Sequence, residues 1–194
     1  MAEAMARSRP EVTLPDAEAA ALRDAYGAAA TVLEYGSGGS TVMAAELGAT
    51  VWAVESDAKW AAMMRHALAG KAAHVLHVDI GPTGDWGHPE DESRARHWPD
   101  YSLKIWDIPG FLHPDVVLVD GRFRLGCFLT VAYSITRPVT LFFDDYVPRA
   151  AYHKAEALMA PTALIGRMAR FDLTPMTLTP DRLRAYAGAL MQPV

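Results

Sequence analysis

The sequence predicts a doubly wound α/β protein with a mostly parallel sheet and helices on both faces. Five short apolar runs, several of them β-branched, recur along the chain, and helical stretches separate them. The runs are almost continuously apolar instead of alternating, which is typical of strands covered on both faces. The repeated order of strand, helix and strand favours parallel pairing through right-handed crossovers.

The predicted elements begin with a helix that starts at Pro15 and ends near Gly27, with acidic residues in its first turn. The five predicted strands have the sequences TVLEY, TVWAV, AHVLHV, DVVLV and VTLFF and span residues 31–35, 50–54, 73–78, 115–119 and 139–143. The helices between them are predicted at residues 40–48, 57–70 and 122–136.

Beyond the fifth strand the pattern predicts a helix near residues 149–159 and a strand around 166–173. The last segment, TPDRLRAYAGALM, has a Thr-Pro helix-start signal. A closing strand near residues 176–178 or 183–186 also fits this segment. Both alternatives stay open on the sequence alone.

The length of 194 residues favours a single domain over residues 1–194. Residues 1–13 are polar without a clear period and are expected to form a mobile arm. Residues 80–113 form a long insertion rich in Gly, Pro, His and Trp, and loops of this length are usually functional or disordered. Its aromatic residues suit a lid over an aromatic or apolar ligand or a contact between copies in a homo-oligomer, and both interpretations stay open.

The composition limits the classes of partner. The net charge is −5 and the Lys and Arg residues are scattered, which argues against a nucleic-acid-binding surface. The single cysteine, Cys127, excludes an intramolecular disulfide, and its apolar helical surroundings predict a buried, inert thiol. The first residues lack the apolar core of a signal peptide, and no stretch reaches the length of a membrane span. We therefore expect a cytoplasmic location and no membrane partner.

The strongest local signal is the glycine turn after the first strand, in VLEYGSGGST. Glycines at 36, 38 and 39 allow a tight turn and let the backbone approach a ligand. The helix that follows offers free N–H groups to an anionic ligand group. The hydroxyls of Ser40 and Thr41 could cap that helix or contact the ligand.

Two residues distinguish this turn from a dinucleotide site. Glu34 precedes the first glycine by two positions, where its carboxylate would repel a pyrophosphate and attract an amino-acid ammonium group. The dinucleotide fingerprint G-x-G-x-x-G requires glycine at position 41, where this chain has Thr41. Both features disfavour an NAD site.

Acidic residues follow all the other predicted strands as well. They are Glu55, Asp79, Asp120, Asp144 and Asp145. Because acids are only 23 of 194 residues, an acid at every strand end is hard to ascribe to chance. Ligands bind outside the carboxyl ends of strands in open α/β sheets, and an acid after the second strand can accept the ribose hydroxyls of a nucleoside.

The run Glu34-Tyr-Gly36-Ser-Gly38 resembles the first motif, acidic-x-Gly-x-Gly, of class I S-adenosylmethionine (SAM)-dependent methyltransferases. The resemblance covers roughly residues 30–146, and Ser40 stands where that family often has a third glycine. It implies that the glycine turn holds the methionine part of SAM, that Glu55 holds the ribose, that Asp79 lies near the adenine and that Asp120 lies near the transferred methyl group. The full set of SAM-binding residues that it implies is Glu34, Gly36, Ser37, Gly38, Ser40, Thr41, Glu55, Ser56, Asp79 and Asp120.

The acids after the fourth and fifth strands also resemble the metal ligands of catechol-type O-methyltransferases. The resemblance implies a catalytic Mg²⁺ site made by Asp120, Asp144 and Asp145, and carboxylates at such density suit Mg²⁺ or Ca²⁺. Asp145 replaces the usual Asn, and Phe123 stands where that family often has a lysine. The alternatives are a metal-free general base at Asp120 or Asp144, or an Asp pair that caps the following helix.

The expected function is methyl transfer from SAM to a small-molecule nucleophile, with a hydroxyl favoured, so the chain is expected to be an enzyme. The rival interpretations are a SAM-binding protein without transferase activity and an NAD-dependent oxidoreductase. Tyr146, Arg149, Tyr152 and His153 follow the fifth strand closely enough to line an acceptor pocket, although ordinary helix packing would also explain them.

Overall fold

The computed structural model describes residues 10–194 and contains a seven-stranded sheet. Its strands are β1 (Thr31–Tyr35), β2 (Thr50–Glu55), β3 (Ala73–His77), β4 (Val116–Val119), β5 (Val139–Phe143), β6 (Ala163–Ile165) and β7 (Met168–Leu173). The strand order is β3-β2-β1-β4-β5-β7-β6, with β1 to β5 parallel and β6 and β7 antiparallel. The doubly wound α/β prediction is confirmed, and the bounds of all five predicted strands agree within one residue.

Six α-helices cover the sheet within the described residues. They are α1 (Asp16–Gly27), α2 (Gly39–Glu46), α3 (Ala58–Ala67), α4 (Trp98–Leu103), α5 (Arg124–Ser134) and α6 (Pro180–Ala189). Local signals set their ends. Asp57, for example, accepts a hydrogen bond of 2.7 Å from the Trp60 N–H and so caps α3.

The apolar core lies on both faces of the sheet because successive side chains of a strand point to opposite faces. On one face Leu33 belongs to the same apolar cluster as Phe128 of α5 and Phe171 of β7, whose rings lie 4.8 Å apart. On the other face Val32 packs with α1 and α2. Burying a side chain as large as Phe128 stabilises the fold by about 1.5–3 kcal/mol.

The topology places the carboxyl ends of β1 and β4 side by side at the switch point of the sheet. β2 pairs with β1 on one side and β4 pairs with it on the other, so the chain winds in opposite directions from this point. Open α/β sheets bind their ligands in the crevice at such a point. We call the space between the ends of β1 and β4 the switch-point crevice.

Several segments differ from the sequence-based expectations. Residues 1–9 of the expected arm lie outside the described residues, whereas the backbone of Glu11 and Val12 lies against Gly39. Residues 149–159, expected to be helical, hold a 3-10 helix at Ala150–Ala157. Strand β6 was not predicted, and of the two alternatives for the C-terminal segment the structure has the helix, α6.

The insertion at 80–113 is ordered by its own aromatic residues. It contains α4 and three short 3-10 helices, at Asp85–Gly87, Ala95–His97 and Lys104–Asp107. Trp98 is buried, and its indole N–H donates to the Ile80 carbonyl at 2.9 Å. Between residues 10 and 194, every helix is too short or too polar to cross a membrane.

Candidate active site

The glycine turn joins β1 to α2 at the switch-point crevice. Gly36 adopts φ +100°, a left-handed conformation that favours glycine, and its N–H donates to the Val54 carbonyl at 2.9 Å. The Gly38 N–H donates to the Thr41 hydroxyl at 2.9 Å. The turn is therefore held both by β2 and by the first turn of α2.

Glu34 lies beneath this turn and is fully buried. Its carboxylate accepts hydrogen bonds from the Tyr26 hydroxyl at 2.7 Å and from the Thr41 hydroxyl. Burial raises the pKa of Glu34 to about 7, and the bonds from Thr41 and Tyr26 oppose that rise. The geometry shows Glu34 supporting the turn from inside the protein.

Glu55 ends β2 and faces the same turn. One carboxylate oxygen accepts the Ser37 hydroxyl at 2.6 Å, and the other accepts the N–H groups of Ser56 and Asp57 at 2.8 and 3.0 Å. The Ser37 carbonyl in turn accepts the indole N–H of Trp60 at 2.8 Å. The ends of β1 and β2 are thus joined through Glu55.

The insertion lies next to Glu55. The Ser56 hydroxyl donates to the Gly87 carbonyl at 2.9 Å, and a β-carbon on Gly87 would lie 3.6 Å from a Glu55 carboxylate oxygen. Asp79 pairs with Arg94 of the insertion at 2.9 Å, and both side chains are about half exposed. The residues expected near ribose and adenine therefore also fix the insertion to the sheet.

Tyr101, on α4 of the insertion, reaches the switch-point crevice and is buried there. Its hydroxyl lies 3.4 Å from the Val54 carbonyl and accepts the Arg122 N–H at 3.3 Å. A β-carbon on Gly121 would come within 2.1 Å of this hydroxyl, so only glycine fits the loop after β4 at this position. The insertion therefore covers the switch point of the sheet.

The three carboxylates after β4 and β5 meet at one buried arginine. Arg124, on the first turn of α5, lies 3.1 Å from Asp120, 4.0 Å from the Asp144 carboxylate and 3.4 Å from Asp145. Its guanidinium also donates to the Asp144 carbonyl at 2.7 Å and to the Gly121 carbonyl at 2.9 Å. Arg124 is buried and has many partners, so it fixes the relative positions of the acids.

Two further arginines complete this group. Arg167, in the turn between β6 and β7, donates two hydrogen bonds of 2.9 and 2.8 Å to Asp144 and lies 3.3 Å from Asp145. Arg149 donates to Asp145 at 2.9 Å. We call Asp120, Asp144, Asp145, Arg124, Arg149 and Arg167 the Asp–Arg cluster.

The Asp–Arg cluster does not fit a divalent cation. The three carboxylates meet, as the hypothesis of a Mg²⁺ site at Asp120, Asp144 and Asp145 required, but three guanidinium groups already neutralise them. Among residues 10–194, no group of three or more His, Cys, Asp or Glu side chains is arranged to hold a metal ion. The Mg²⁺ hypothesis is therefore not supported, because the donor oxygens are engaged by arginine.

Asp120 is the most exposed carboxylate of the cluster, at 34% of its side chain against 18% for Asp145 and 1% for Asp144. Burial raises the pKa of Asp120 to about 7, Arg124 opposes the rise, and the nearby Asp144 and Asp145 add to it. A carboxyl group with this pKa can exchange a proton near neutral pH. Asp120 also lies directly before Gly121, at the switch-point crevice.

Sequence reasoning missed Arg124 and Arg167, and it did not place Tyr101, one of the aromatic residues of the insertion, at the switch-point crevice. Arg124 was detectable, because it follows Asp120 by four residues at the start of a predicted helix, where opposite charges pair. Arg167 had no local signal, since it reaches Asp144 only through the β6–β7 turn. Of the residues expected to line an acceptor pocket, Arg149 belongs to the Asp–Arg cluster and Tyr152 lies beside it, with the Arg124 guanidinium 5.9 Å from the Tyr152 ring.

The fold is similar to that of known methyltransferases. A crystal structure of a methyltransferase-like protein from Silicibacter pomeroyi is 53% identical, covers 95% of this chain and 99% of its own, and superposes with a TM-score of 0.90. The cofactor-bound protein Rv0187 from MTB shares the fold at 20% identity, with coverages of 81% and 73% and a TM-score of 0.53. No family model and no curated protein sequence matches this chain.

Proposed function

Because this chain belongs to the class I SAM-dependent methyltransferases, we propose that it methylates a hydroxyl group of a small molecule and that Asp120 is the general base. One observation carries the proposal. Burial raises the pKa of Asp120 to about 7, and Asp120 lies where the loop after β4 packs against the glycine turn. General bases work best when their pKa is near the working pH.

The glycine turn and Glu55 support binding of SAM at the ends of β1 and β2. Glu55 already accepts a hydroxyl, that of Ser37, at 2.6 Å, which is the interaction that a ribose hydroxyl would make with it. A β-carbon on Gly38 would meet no atom within 4 Å, so the backbone is open to a ligand at this point. We assign Gly36, Ser37, Gly38, Ser40 and Thr41 to the methionine part.

Around the nucleoside we assign Ser56 and Asp79 to the adenine side. Both residues contact the insertion, through Gly87 and Arg94, so binding of the nucleoside would involve this segment. Glu34 is buried and supports the turn through the Thr41 hydroxyl. We therefore propose that Glu34 contributes to SAM binding indirectly, by holding the glycine turn in place.

In the proposed reaction, SAM supplies an electrophilic methyl group on a sulfonium. Asp120 would accept the proton of the acceptor hydroxyl as the methyl group passes from the sulfonium to the hydroxyl oxygen, which would leave SAH as the second product. Arg124 holds the Asp120 carboxylate at 3.1 Å, so the base has a fixed direction. Most of the rate enhancement would come from alignment of the acceptor oxygen with the methyl group.

Calorimetry with S-adenosylhomocysteine (SAH) and with NAD tests the cofactor class. We expect SAH to bind and NAD to bind far more weakly, because Thr41 stands where the dinucleotide fingerprint requires its third glycine. A second assay follows transfer of a labelled methyl group from SAM to a panel of small alcohols, phenols, amines and thiols. Tight binding of NAD without binding of SAH would contradict the proposal, and so would transfer to amines or thiols alone.

A further inference from the structure

Arg122 stands in the loop after β4, two residues beyond the proposed base. Its N–H donates to the Tyr101 hydroxyl at 3.3 Å, and its carbonyl accepts the Cys127 thiol at 3.4 Å. Both ends of the residue are thus fixed, one to the insertion and one to α5. The side chain starts from a defined place at the switch-point crevice.

The guanidinium of Arg122 lacks the partners that its neighbours have. Its Nε is buried and has no hydrogen-bond partner among residues 10–194, and the side chain forms no ion pair with them. By contrast, Arg124, Arg149 and Arg167 each contact at least one carboxylate of the Asp–Arg cluster. A buried donor without a partner costs about 1–3 kcal/mol, and more when it is charged.

The surroundings of Arg122 are short of negative charge. Burial lowers the pKa of Arg122, and the positive charges of Arg124 and Arg149 lower it further, against the opposing effects of Tyr101 and Tyr152. The carboxylates nearby already pair with other arginines. An anion is the group that this guanidinium lacks.

We propose that Arg122 binds a carboxylate of the methyl acceptor, so that the substrate is a small hydroxy acid. This inference rests on the proposed function. A guanidinium presents two parallel N–H groups that match a carboxylate, and it binds such a group more strongly than any neutral one. The same acid would place its hydroxyl within reach of Asp120, two residues away in the same loop.

The position of Arg122 favours the acceptor over SAM as the source of this carboxylate. Arg122 shares its surroundings with Arg124, Arg149 and Tyr152, which belong to α5 and to the segment after β5. The glycine turn and Glu55, which we assign to SAM, lie at the ends of β1 and β2. The methionine carboxylate of SAM is the other possible source of this anion, and the experiment separates the two.

The test compares two probes that differ in charge, 4-hydroxybenzoate and its neutral analogue 4-hydroxybenzamide, by calorimetry with and without SAH. We expect wild-type protein to bind the acid at least ten times more tightly than the amide, and Arg122→Gln to lose this preference. Arg137→Gln is the matched control and should keep the preference. Arg137 is about half exposed and pairs with Asp115 at the amino end of β4, whereas Arg122 follows the carboxyl end of this strand. Since Arg122 is unpaired, Arg122→Gln should unfold at the wild-type temperature or above it.

The other outcomes contradict either the inference or the proposed function. Equal affinity of wild-type protein for the two probes, including no binding of either, overturns the inference, as does a preference that persists in Arg122→Gln. A tenfold loss of SAH affinity in Arg122→Gln assigns the arginine to the cofactor and also overturns it. Failure of wild-type protein to bind SAH contradicts the proposed function itself.

Discussion

Gly36 and Gly121 pack backbone against backbone at the ends of β1 and β4. A β-carbon on Gly36 would lie 2.9 Å from the Gly121 nitrogen, and one on Gly121 would lie 2.7 Å from the Gly36 nitrogen. Real β-carbons essentially never approach other atoms so closely. The two loops are therefore nearer than side chains would allow, and this brings Asp120 next to the glycine turn.

This contact gives Gly36 a structural role, whereas Gly38 lacks such a contact and faces the proposed ligand site. Gly36→Ala should destabilise the protein by about 1–3 kcal/mol, because the new side chain would meet Gly121 in a left-handed backbone conformation. Gly38→Val should change the free energy of unfolding by less than about 1 kcal/mol and still abolish SAH binding, since its extended backbone accepts any residue and faces open space. Urea denaturation and calorimetry measure the two effects. Equal destabilisation by both substitutions would refute the distinction.

Glu55 should dominate the binding of the ribose. Glu55→Gln removes a carboxylate that accepts three hydrogen bonds, and a charged hydrogen bond contributes about 1.5–3 kcal/mol, so SAH affinity should fall more than tenfold. Glu92→Gln, at an exposed position of the insertion, is the control and should bind SAH as wild type does. An unchanged dissociation constant for Glu55→Gln would place the nucleoside elsewhere.

Asp144 should act as a structural residue. It is buried and accepts two hydrogen bonds from Arg167. Removing one partner of a buried ion pair costs about 3–5 kcal/mol. We expect Asp144→Asn to lower stability by somewhat less, about 2–4 kcal/mol, because the amide keeps one acceptor. A double-mutant cycle with Arg167→Met should show strong coupling. A metal chelator should leave the rate of methyl transfer unchanged. A rate that falls when the chelator is added would instead support the hypothesis of a metal at this site.

The strands, the glycine turn and the acids at the strand ends could be predicted because each is encoded locally. Apolar runs mark buried strands, and the acids follow them directly, as Glu55 follows the apolar run of β2. The convergence of Asp120 and Asp144 followed from the adjacency of parallel strands. These features need no knowledge of the rest of the chain.

The charge balance of the site could not be predicted because it depends on distant residues. Arg167 reaches Asp144 from a hairpin whose first strand, β6, has only three residues. Without the three arginines of the Asp–Arg cluster, the converging carboxylates would repel one another and would require a cation, as in the Mg²⁺ hypothesis. The position of Tyr101 could not be predicted either, because it lies in an insertion whose apolar residues have no regular period.

Glu34 should make stability depend on pH. Its pKa in the folded protein is about 7, above the ordinary 4.5, so the folded state binds more protons between these values. Its contribution is full below about pH 4.5 and is lost as pH rises through about 7. The difference in unfolding free energy between wild type and Glu34→Gln should therefore fall by roughly 2–3 kcal/mol from about pH 5 to about pH 8. A constant difference over that range would show that Glu34 is ionised throughout.

Asp120 should set the pH dependence of methyl transfer. Burial raises its pKa from 3.8 to about 7, so at low pH the carboxyl group holds a proton and cannot accept another. We expect kcat/KM to rise with pH and to level off above an inflection near 7. Asp120→Asn should lower kcat by about 10²- to 10⁴-fold, because the amide cannot act as a base.

The pH profile of the activity that remains in Asp120→Asn tests the role of Asp120 as a base more sharply than the size of the rate loss does. Its SAH affinity should stay near that of wild type, since Asp120 is proposed to take a proton from the acceptor and Glu55 and the glycine turn to bind the cofactor. Its residual rate should lose the inflection near pH 7, whereas Asp172→Asn, at an exposed position on β7, should keep both rate and profile. Steady-state assays across the pH range measure the residual rate and its pH profile directly. An inflection that survives in Asp120→Asn would assign it to another group and leave Asp120 without a role as base.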